Sequence, residues 1–275
     1  MRYDRLLEGK TALITARGQP FIEACALLFA RHGAGVALAC PKKDSYETLL
    51  EEPRGFGMPC IYIENDLCDS ADADALFEEL PSGFSAPDVW LCCVDEYRPA
   101  FIDELALDDL RRMLRVNLSV PLQLMRCLAP GMAERRGSVI HVCSEYAVQG
   151  ATGVSGYAAT QGGALLLMRA YAEQWAPRGL RVNSIVLGSS FPPVGDDLQK
   201  HWSRDEDDLN WPVVQPISRR GTAEDLANAA LFLACGMSER VSGEALYVNG
   251  AQHIVAHNEY FHEIAGMPCP WREGS

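Results

Sequence analysis

The stretch from Ser144 to Gly188 reads SEYAVQGATGVSGYAATQGGALLLMRAYAEQWAPRGLRVNSIVLG, and it decides the fold. It opens where a β-branched apolar run ends, crosses a loop that contains three glycines, and enters a long helical pattern over 157–175. Gly179 is a typical helix stop, and a second strand pattern follows over 181–187. The order strand, helix, strand predicts two parallel strands joined by a crossover helix.

The rest of the chain repeats this alternation, with helical patterns such as 103–132 between the strand patterns. Alternation of this kind predicts an α/β fold with a parallel sheet covered on both faces. We therefore expect residues 1–275 to form a single Rossmann-like domain, a doubly wound parallel sheet of about seven strands with helices on both faces. The predicted strands are Lys10–Thr15, Val36–Cys40, Cys60–Glu64, Val89–Val94, Ser138–Cys143, Arg181–Leu187 and Ala245–Val248.

Composition narrows the classes of partner. The formal net charge of -13 argues against nucleic acid and against anionic membrane surfaces. No segment approaches the roughly 20 unbroken apolar residues of a membrane span, and the first residues lack the apolar run of a signal peptide. The 10 cysteines are scattered without a Cys-x-x-Cys pair, which favours reduced thiols over disulfides or metal ligands. We expect a cytoplasmic protein without a metal site.

Two hydroxyl side chains are predicted to lie where a substrate would bind. Ser144 follows a predicted strand, at the edge where open α/β sheets bind their ligands. Tyr157 opens the next helix, and Gln161 stands one turn further along the same face. The two hydroxyls could therefore converge on one substrate oxygen.

A serine, a tyrosine thirteen residues later and a lysine four residues after that form the pattern of the short-chain dehydrogenase/reductase family. This chain resembles the family over nearly its whole length, but Gln161 takes the place of the lysine. The resemblance implies that Tyr157 is the general acid/base, that Ser144 hydrogen-bonds the substrate oxygen, and that Asn117 helps to relay protons. We therefore predict Asn117, Ser144 and Tyr157 as the candidate catalytic residues.

The predicted cofactor loop departs from the family pattern Thr-Gly-x-x-x-Gly-x-Gly. Ala16, Pro20 and Ile22 fill its three glycine positions. Those glycines give the turn, the close approach of backbone to phosphate and the contact of helix with strand. Bulk at these positions predicts a dismantled pyrophosphate site and no bound cofactor.

Other cofactor positions are also altered. The second strand ends in Cys40–Pro41, without the acid that would hold a ribose hydroxyl, and the family's Asn-Asn-Ala-Gly becomes Cys92–Asp95. Asp66 stands where the family contacts adenine. Lys42 or Lys43 could still hold a 2′-phosphate, which leaves NADP binding open.

Three hypotheses of function follow from these departures. The first is a non-catalytic subunit of a hetero-oligomeric dehydrogenase, similar to that of the hydroxybenzylsuccinyl-CoA dehydrogenase. The second is a cofactor-independent lyase, cyclase or dehalogenase-like enzyme that uses Ser144 and Tyr157, more distantly similar to halohydrin dehalogenases. The third, which we rank last, is an atypical NAD(P)-dependent alcohol dehydrogenase or ketoreductase.

Two segments suggest contacts with ligands or partners. Residues 188–217 form an irregular insertion where the family has its substrate-covering lid. Residues 251–275 form a tail that is suited to packing on a neighbouring subunit. We expect a homo- or hetero-oligomer with another subunit of the family, and a small-molecule or acyl-CoA ligand.

Overall fold

In the computed structural model, seven parallel strands form one sheet, in the order β3-β2-β1-β4-β5-β6-β7. The structure describes residues 4–19, 21–41, 50–188, 216–217 and 219–254. The strands are β1 (Thr11–Ala16), β2 (Gly35–Cys40), β3 (Cys60–Glu64), β4 (Val89–Cys93), β5 (Ser138–Ser144), β6 (Arg181–Leu187) and β7 (Ala245–Val248). This is the α/β, doubly wound architecture expected from the sequence.

Helices connect the strands. They are α1 (Ile22–Arg31), α2 (Glu51–Gly55), α3 (Ser70–Glu79), α4 (Leu107–Leu114), α5 (Val120–Glu134), α6 (Ser155–Trp175) and α7 (Ala223–Ala234). The predicted helix 103–132 is divided, because a turn of π-helix (Arg115–Ser119) separates α4 from α5. Thr222 and Asp225 form a capping box at the start of α7, as residues three apart at a helix start can.

Alternate residues of the sheet supply two hydrophobic cores, one on each face. In β1, for example, Leu13 packs in one core and Ile14 in the other. The Ile14 core also contains apolar residues of α1 and α7, and the Leu13 core contains those of α3, α5 and α6. The strands are buried on both faces, and for this reason they read as continuous apolar runs in the sequence.

The strand order reverses beside β1, which pairs with β2 on one side and with β4 on the other. In open α/β sheets a crevice forms at such a reversal, outside the carboxyl ends of the strands. Ser144 ends β5 at this edge, and Asp95 and Glu96 follow β4 there.

Most of the predicted lid, residues 188–217, and of the predicted tail, residues 251–275, lies outside the described residues. Within the described part of the chain, no helix is both long enough and apolar enough to cross a bilayer.

Candidate active site

Ser144 and Tyr157 lie together at the carboxyl edge of the sheet. Tyr157 is in the first turn of α6 and only 5% exposed, and the Ser144 side chain is a near neighbour of its hydroxyl. The Ser144 hydroxyl also accepts a hydrogen bond from the Tyr146 amide at 3.3 Å, which holds the short turn after β5. The Tyr157 ring is fixed by an edge-to-face contact with Tyr97, with 4.8 Å between ring centroids. The two hydroxyls predicted to converge therefore lie close together.

Gln161 links this pair to a carboxylate that follows β4. Its Oε1 accepts a hydrogen bond from the Ser144 backbone N–H at 2.9 Å. Because a backbone N–H can only donate, the amide orientation is fixed, and Gln161 Nε2 faces Asp95 Oδ1 at 2.9 Å. The other oxygen of Asp95 accepts a hydrogen bond from the Tyr157 hydroxyl at 2.8 Å.

Burial and charge shift the proton affinities of this group. Burial raises the pKa of Asp95 to about 6, the Tyr157 hydrogen bond opposes the rise, and the Glu96 charge adds to it. Burial, followed by the Asp95 charge, raises the pKa of Tyr157 well above its ordinary value. Tyr157 therefore keeps its proton at neutral pH.

Asn117 lies in the π-helical turn, behind the tyrosine. Its Oδ1 accepts a hydrogen bond from the Glu96 amide at 2.7 Å, and its Nδ2 donates to the Glu96 carbonyl at 3.0 Å. The same Nδ2 donates to Thr160 Oγ1 at 2.9 Å, and Thr160 donates to the Tyr157 carbonyl at 2.8 Å. Asn117 thus ties the loop after β4 to α6 and sets the distance between Asp95 and Tyr157.

Three arginines surround the Glu96 carboxylate. Arg98 and Arg112 donate to its Oε1 at 2.7 and 2.9 Å, and Arg17 donates to its Oε2 at 3.1 Å. Burial would raise the pKa of Glu96, but the hydrogen bonds from Arg98 and Arg112 and the Arg17 charge lower it below its ordinary value. Three cations around the Glu96 carboxylate exceed its single charge, which favours an anionic ligand beside them.

The loop after β1 departs from the prediction of a dismantled phosphate site. Ala16 and Ile22 are both fully buried in the core that contains α1, so their side chains occupy the interior of the protein. Gly18 has φ +101°, a backbone conformation that glycine adopts without strain. Phe21, at the start of α1, provides no side-chain cap; the Ile22 amide donates to the Gln19 carbonyl at 3.4 Å, and the following amides of the first turn have no side-chain acceptor from Phe21. Residue 20 lies outside the described residues.

The same loop contains a buried donor. Gln19 is 2% exposed, and its Oε1 accepts a hydrogen bond from the Arg17 amide at 2.8 Å. Its Nε2 has no hydrogen-bond partner among the described residues. A buried N–H without an acceptor, in the loop that leads into a helix N-terminus, matches the oxygens of a phosphate. The residues present therefore fit the phosphates of a dinucleotide.

Of the residues predicted to contact the adenosine part of a cofactor, the structure describes Asp66 but not Lys42 or Lys43. Arg17 donates to the backbone carbonyl of Asp66 and, at 3.0 Å, to the thiol of Cys68, which joins the loop after β1 to the loop after β3. The Asp66 side chain is exposed at this edge, where the adenine contact was expected. Lys42 and Lys43 lie outside the described residues, so the prediction of a 2′-phosphate contact stays a prediction.

Comparison with known proteins gives the family. A family model described as enoyl-(acyl carrier protein) reductase matches residues 22–253. The short-chain type dehydrogenase/reductase y4mP of Sinorhizobium fredii is 30% identical, over 90% of this chain and 99% of its own. The chain belongs to the short-chain dehydrogenase/reductase family.

Other members of the family carry named activities. The L-rhamnose 1-dehydrogenase (NAD(P)(+)) of a Sphingomonas species is 29% identical, over 91% of this chain and 98% of its own. The crystal structure of L-sorbose reductase from Gluconobacter frateurii, complexed with NADPH and L-sorbose, superposes with a TM-score of 0.81. It is 25% identical and covers 90% of this chain and 98% of its own.

These relatives correct the functional prediction. This chain is similar, over nine-tenths of its length, to family members named as NAD(P)-dependent oxidoreductases. The prediction of a non-catalytic subunit is therefore wrong. The cofactor-independent alternative falls with it. The physical reason is at Ala16 and Ile22, whose side chains pack into the core, so that their bulk does not fill the crevice. The expectation of no cofactor therefore loses its basis.

The role of Asp95 was not predicted from the sequence. Asp95 at a family glycine position and Gln161 at the lysine position were interpreted as two separate losses. The structure brings these two side chains within 2.9 Å of each other. Two polar replacements in one family site were the signal that could have suggested a pair.

Proposed function

We propose that the chain is an NAD(P)-dependent oxidoreductase that interconverts a carbonyl compound and the corresponding alcohol. The observation that carries the proposal is the proximity of the Ser144 and Tyr157 side chains at the carboxyl edge of the sheet, beside the crevice between β1 and β4. The activities named for the similar L-rhamnose 1-dehydrogenase and L-sorbose reductase support the same reaction class.

The residues that would hold the dinucleotide are those of the loop after β1. The amides at the start of α1 and Gln19 Nε2 would donate to the phosphates, with the charge of Arg17 nearby. When bound, the nicotinamide supplies or accepts the hydride. An electropositive helix terminus is a general site for phosphate groups.

The protein's own groups supply orientation and the proton. Ser144 would donate a hydrogen bond to the substrate oxygen and so fix it beside the Tyr157 hydroxyl. Because the pKa of Tyr157 is raised, the tyrosine is protonated at neutral pH, and the proton that it shares with Asp95 would pass to a substrate oxygen on which negative charge develops. Asn117 keeps the loop after β4 against α6, so that the hydroxyls remain in place.

The test is turnover of two probes named by the relatives, L-sorbose with NADPH and L-rhamnose with NAD⁺ or NADP⁺, followed by nicotinamide absorbance. Tyr157→Phe, which removes only the hydroxyl, should lower turnover by about 10²–10⁴-fold, the usual contribution of a positioned acid/base group. Tyr171→Phe, the same change at another buried position of α6, is the matched control and should keep wild-type turnover. Equal rates for wild type and Tyr157→Phe would refute the assignment.

We further propose that the chain associates with a second short-chain dehydrogenase subunit, a second copy being sufficient. Large apolar side chains are exposed on three helices, namely Leu114 of α4, Leu122 of α5 and Leu166 of α6, which is 63% exposed. Leu166→Asp should lower the mass measured by sedimentation, because a charge at the contact would remain unpaired. A wild-type protein that sediments as a monomer at high concentration would contradict this proposal.

A further inference from the structure

The hydrogen-bond acceptor of the Tyr157 hydroxyl is a carboxylate. In the family pattern the neighbour is a lysine, whose charge favours the ionised tyrosine. Here Gln161 takes the lysine position and Asp95 takes a glycine position, and the two are hydrogen-bonded at 2.9 Å. Asp95 also accepts the Tyr157 hydroxyl at 2.8 Å, so it contacts the atom that would exchange a proton with substrate.

We propose that Asp95 is the proton reservoir of the site, with Tyr157 as the relay between Asp95 and the substrate oxygen. The chemistry rests on the proposed function, whereas the coupling of Asp95 to Tyr157 can be measured without it. Gln161 is the positioning residue of this pair, because its amide is fixed by the Ser144 backbone on one side and holds Asp95 on the other.

The proton steps balance in both directions. In reduction, for which bound nicotinamide would supply the hydride, the substrate oxygen takes the Tyr157 proton. Protonated Asp95 then returns a proton to the Tyr157 oxygen and becomes a carboxylate, which solvent reprotonates. In oxidation, Tyr157 takes the alcohol proton as its own proton passes to the Asp95 carboxylate, which later releases it to solvent.

The surroundings of Asp95 allow this exchange. Asp95 is partly exposed, so protons can reach it from solvent, while the Tyr157 ring is almost fully buried. Among the described residues, the charged groups that face Asp95 are Glu96, next along the chain, and Arg17, from the loop after β1, and their effects on its pKa oppose each other. The remaining titratable neighbours are tyrosine and cysteine side chains with raised pKa values, which stay neutral at physiological pH: Tyr97, Tyr157, Cys92, Cys93 and Cys143.

The direction of the pH dependence follows from these contacts. Since the pKa of Asp95 is raised to about 6, Asp95 is mostly protonated below that pH and mostly ionised above it. Reduction needs the protonated form and should slow by up to tenfold for each pH unit above about 6. Oxidation needs the carboxylate and should slow below about pH 6.

The first measurement is an NMR titration of protein labelled with ¹³C at the ζ carbon of tyrosine, with the Tyr157 signal assigned by its loss in Tyr157→Phe. In the wild type we expect this signal to shift with a midpoint near pH 6, as its hydrogen-bond acceptor gains a proton. Asp95→Asn keeps an acceptor for Gln161 and a polar contact for Tyr157, but it cannot titrate, so the step should disappear. Asp103→Asn, the same change at an exposed position, is the control and should leave the step unchanged.

The second measurement is the pH profile of L-sorbose reduction by NADPH. Asp95→Asn should reduce the rate at pH 5 by about 10²-fold and remove the decline above pH 6. The reservoir proposal would be wrong if the pH-dependent shift of the Tyr157 signal, or the decline in rate above pH 6, persisted in Asp95→Asn. It would also be wrong if the wild-type Tyr157 signal did not shift near pH 6. If the step behaves as expected but the wild type binds no NADPH, the reservoir stands and the proposed function fails.

Discussion

Asp95 and His141 should have opposite effects on stability between about pH 4 and pH 6. Burial raises the pKa of Asp95 from 3.8 to about 6, so the folded protein keeps a proton there that the unfolded chain releases. Acidification through this range therefore stabilises the fold. Burial lowers the pKa of His141 from 6.5 to about 4, so the unfolded chain gains a proton that the folded protein does not. Acidification from pH 6.5 to 4 therefore destabilises the fold through His141.

The two contributions are similar in size. Each pKa differs between the folded and unfolded states by a little over 2 pH units, which corresponds to about 3 kcal/mol in the free energy of unfolding. They nearly cancel in the wild type. Asp95→Asn should expose the His141 contribution, so that its stability falls by about 3 kcal/mol more than that of the wild type on going from pH 7 to pH 4. His141→Leu should show the reverse, a relative gain of about 3 kcal/mol over the same range.

The assay is urea unfolding at several pH values from 4 to 7, followed by tryptophan fluorescence. Differences between each variant and the wild type at the same pH remove the contribution of all other carboxylates. The double variant should regain the pH dependence of the wild type, because both contributions are then absent. Single variants whose stability runs parallel to that of the wild type at every pH would refute the reasoning.

Three further predictions concern single contacts. Asn117→Ala should lower the free energy of unfolding by about 3 kcal/mol, because the buried amide and carbonyl of Glu96 lose their hydrogen-bond partner. Urea unfolding measures this change, and an unchanged urea midpoint would contradict it. Gln19→Glu keeps the acceptor for the Arg17 amide but replaces the N–H donor with a carboxylate oxygen. The NADPH dissociation constant, measured by calorimetry, should therefore rise by about 10- to 100-fold. Equal affinity would show that Gln19 does not contact phosphate. Thr222→Ala removes the capping box of α7 and should cost about 1 kcal/mol in the same unfolding assay, with no effect on NADPH affinity.

Much of the fold could be predicted because the strands are visible in the sequence as short apolar runs. Val36–Cys40 and Cys60–Glu64 are apolar runs of strand length between turn signals, and the structure forms strands at both. The break at Arg115–Ser119 could not be predicted from periodicity, because the π-helical turn holds Asn117 against a loop about 20 residues earlier in the chain. Local pattern does not contain such a contact.

The candidate site could be predicted only in part. The positions of Ser144 and Tyr157 follow from the end of a strand and the start of a helix. The direction of the Ala16 and Ile22 side chains does not follow from a glycine pattern, since the same residue can face a ligand or the core. The contact of Asp95 with Gln161 joins residues 66 positions apart, and only the folded sheet shows it.

The central claim is that the crevice beside β1 binds a nicotinamide dinucleotide. Its most direct test is calorimetric titration of the full-length protein with NADPH, and with NADH in parallel. We predict saturable binding of at least one of them, with a dissociation constant between about 1 μM and 1 mM, the usual range for enzyme substrates. The absence of binding heat from both at about 1 mM would contradict the account.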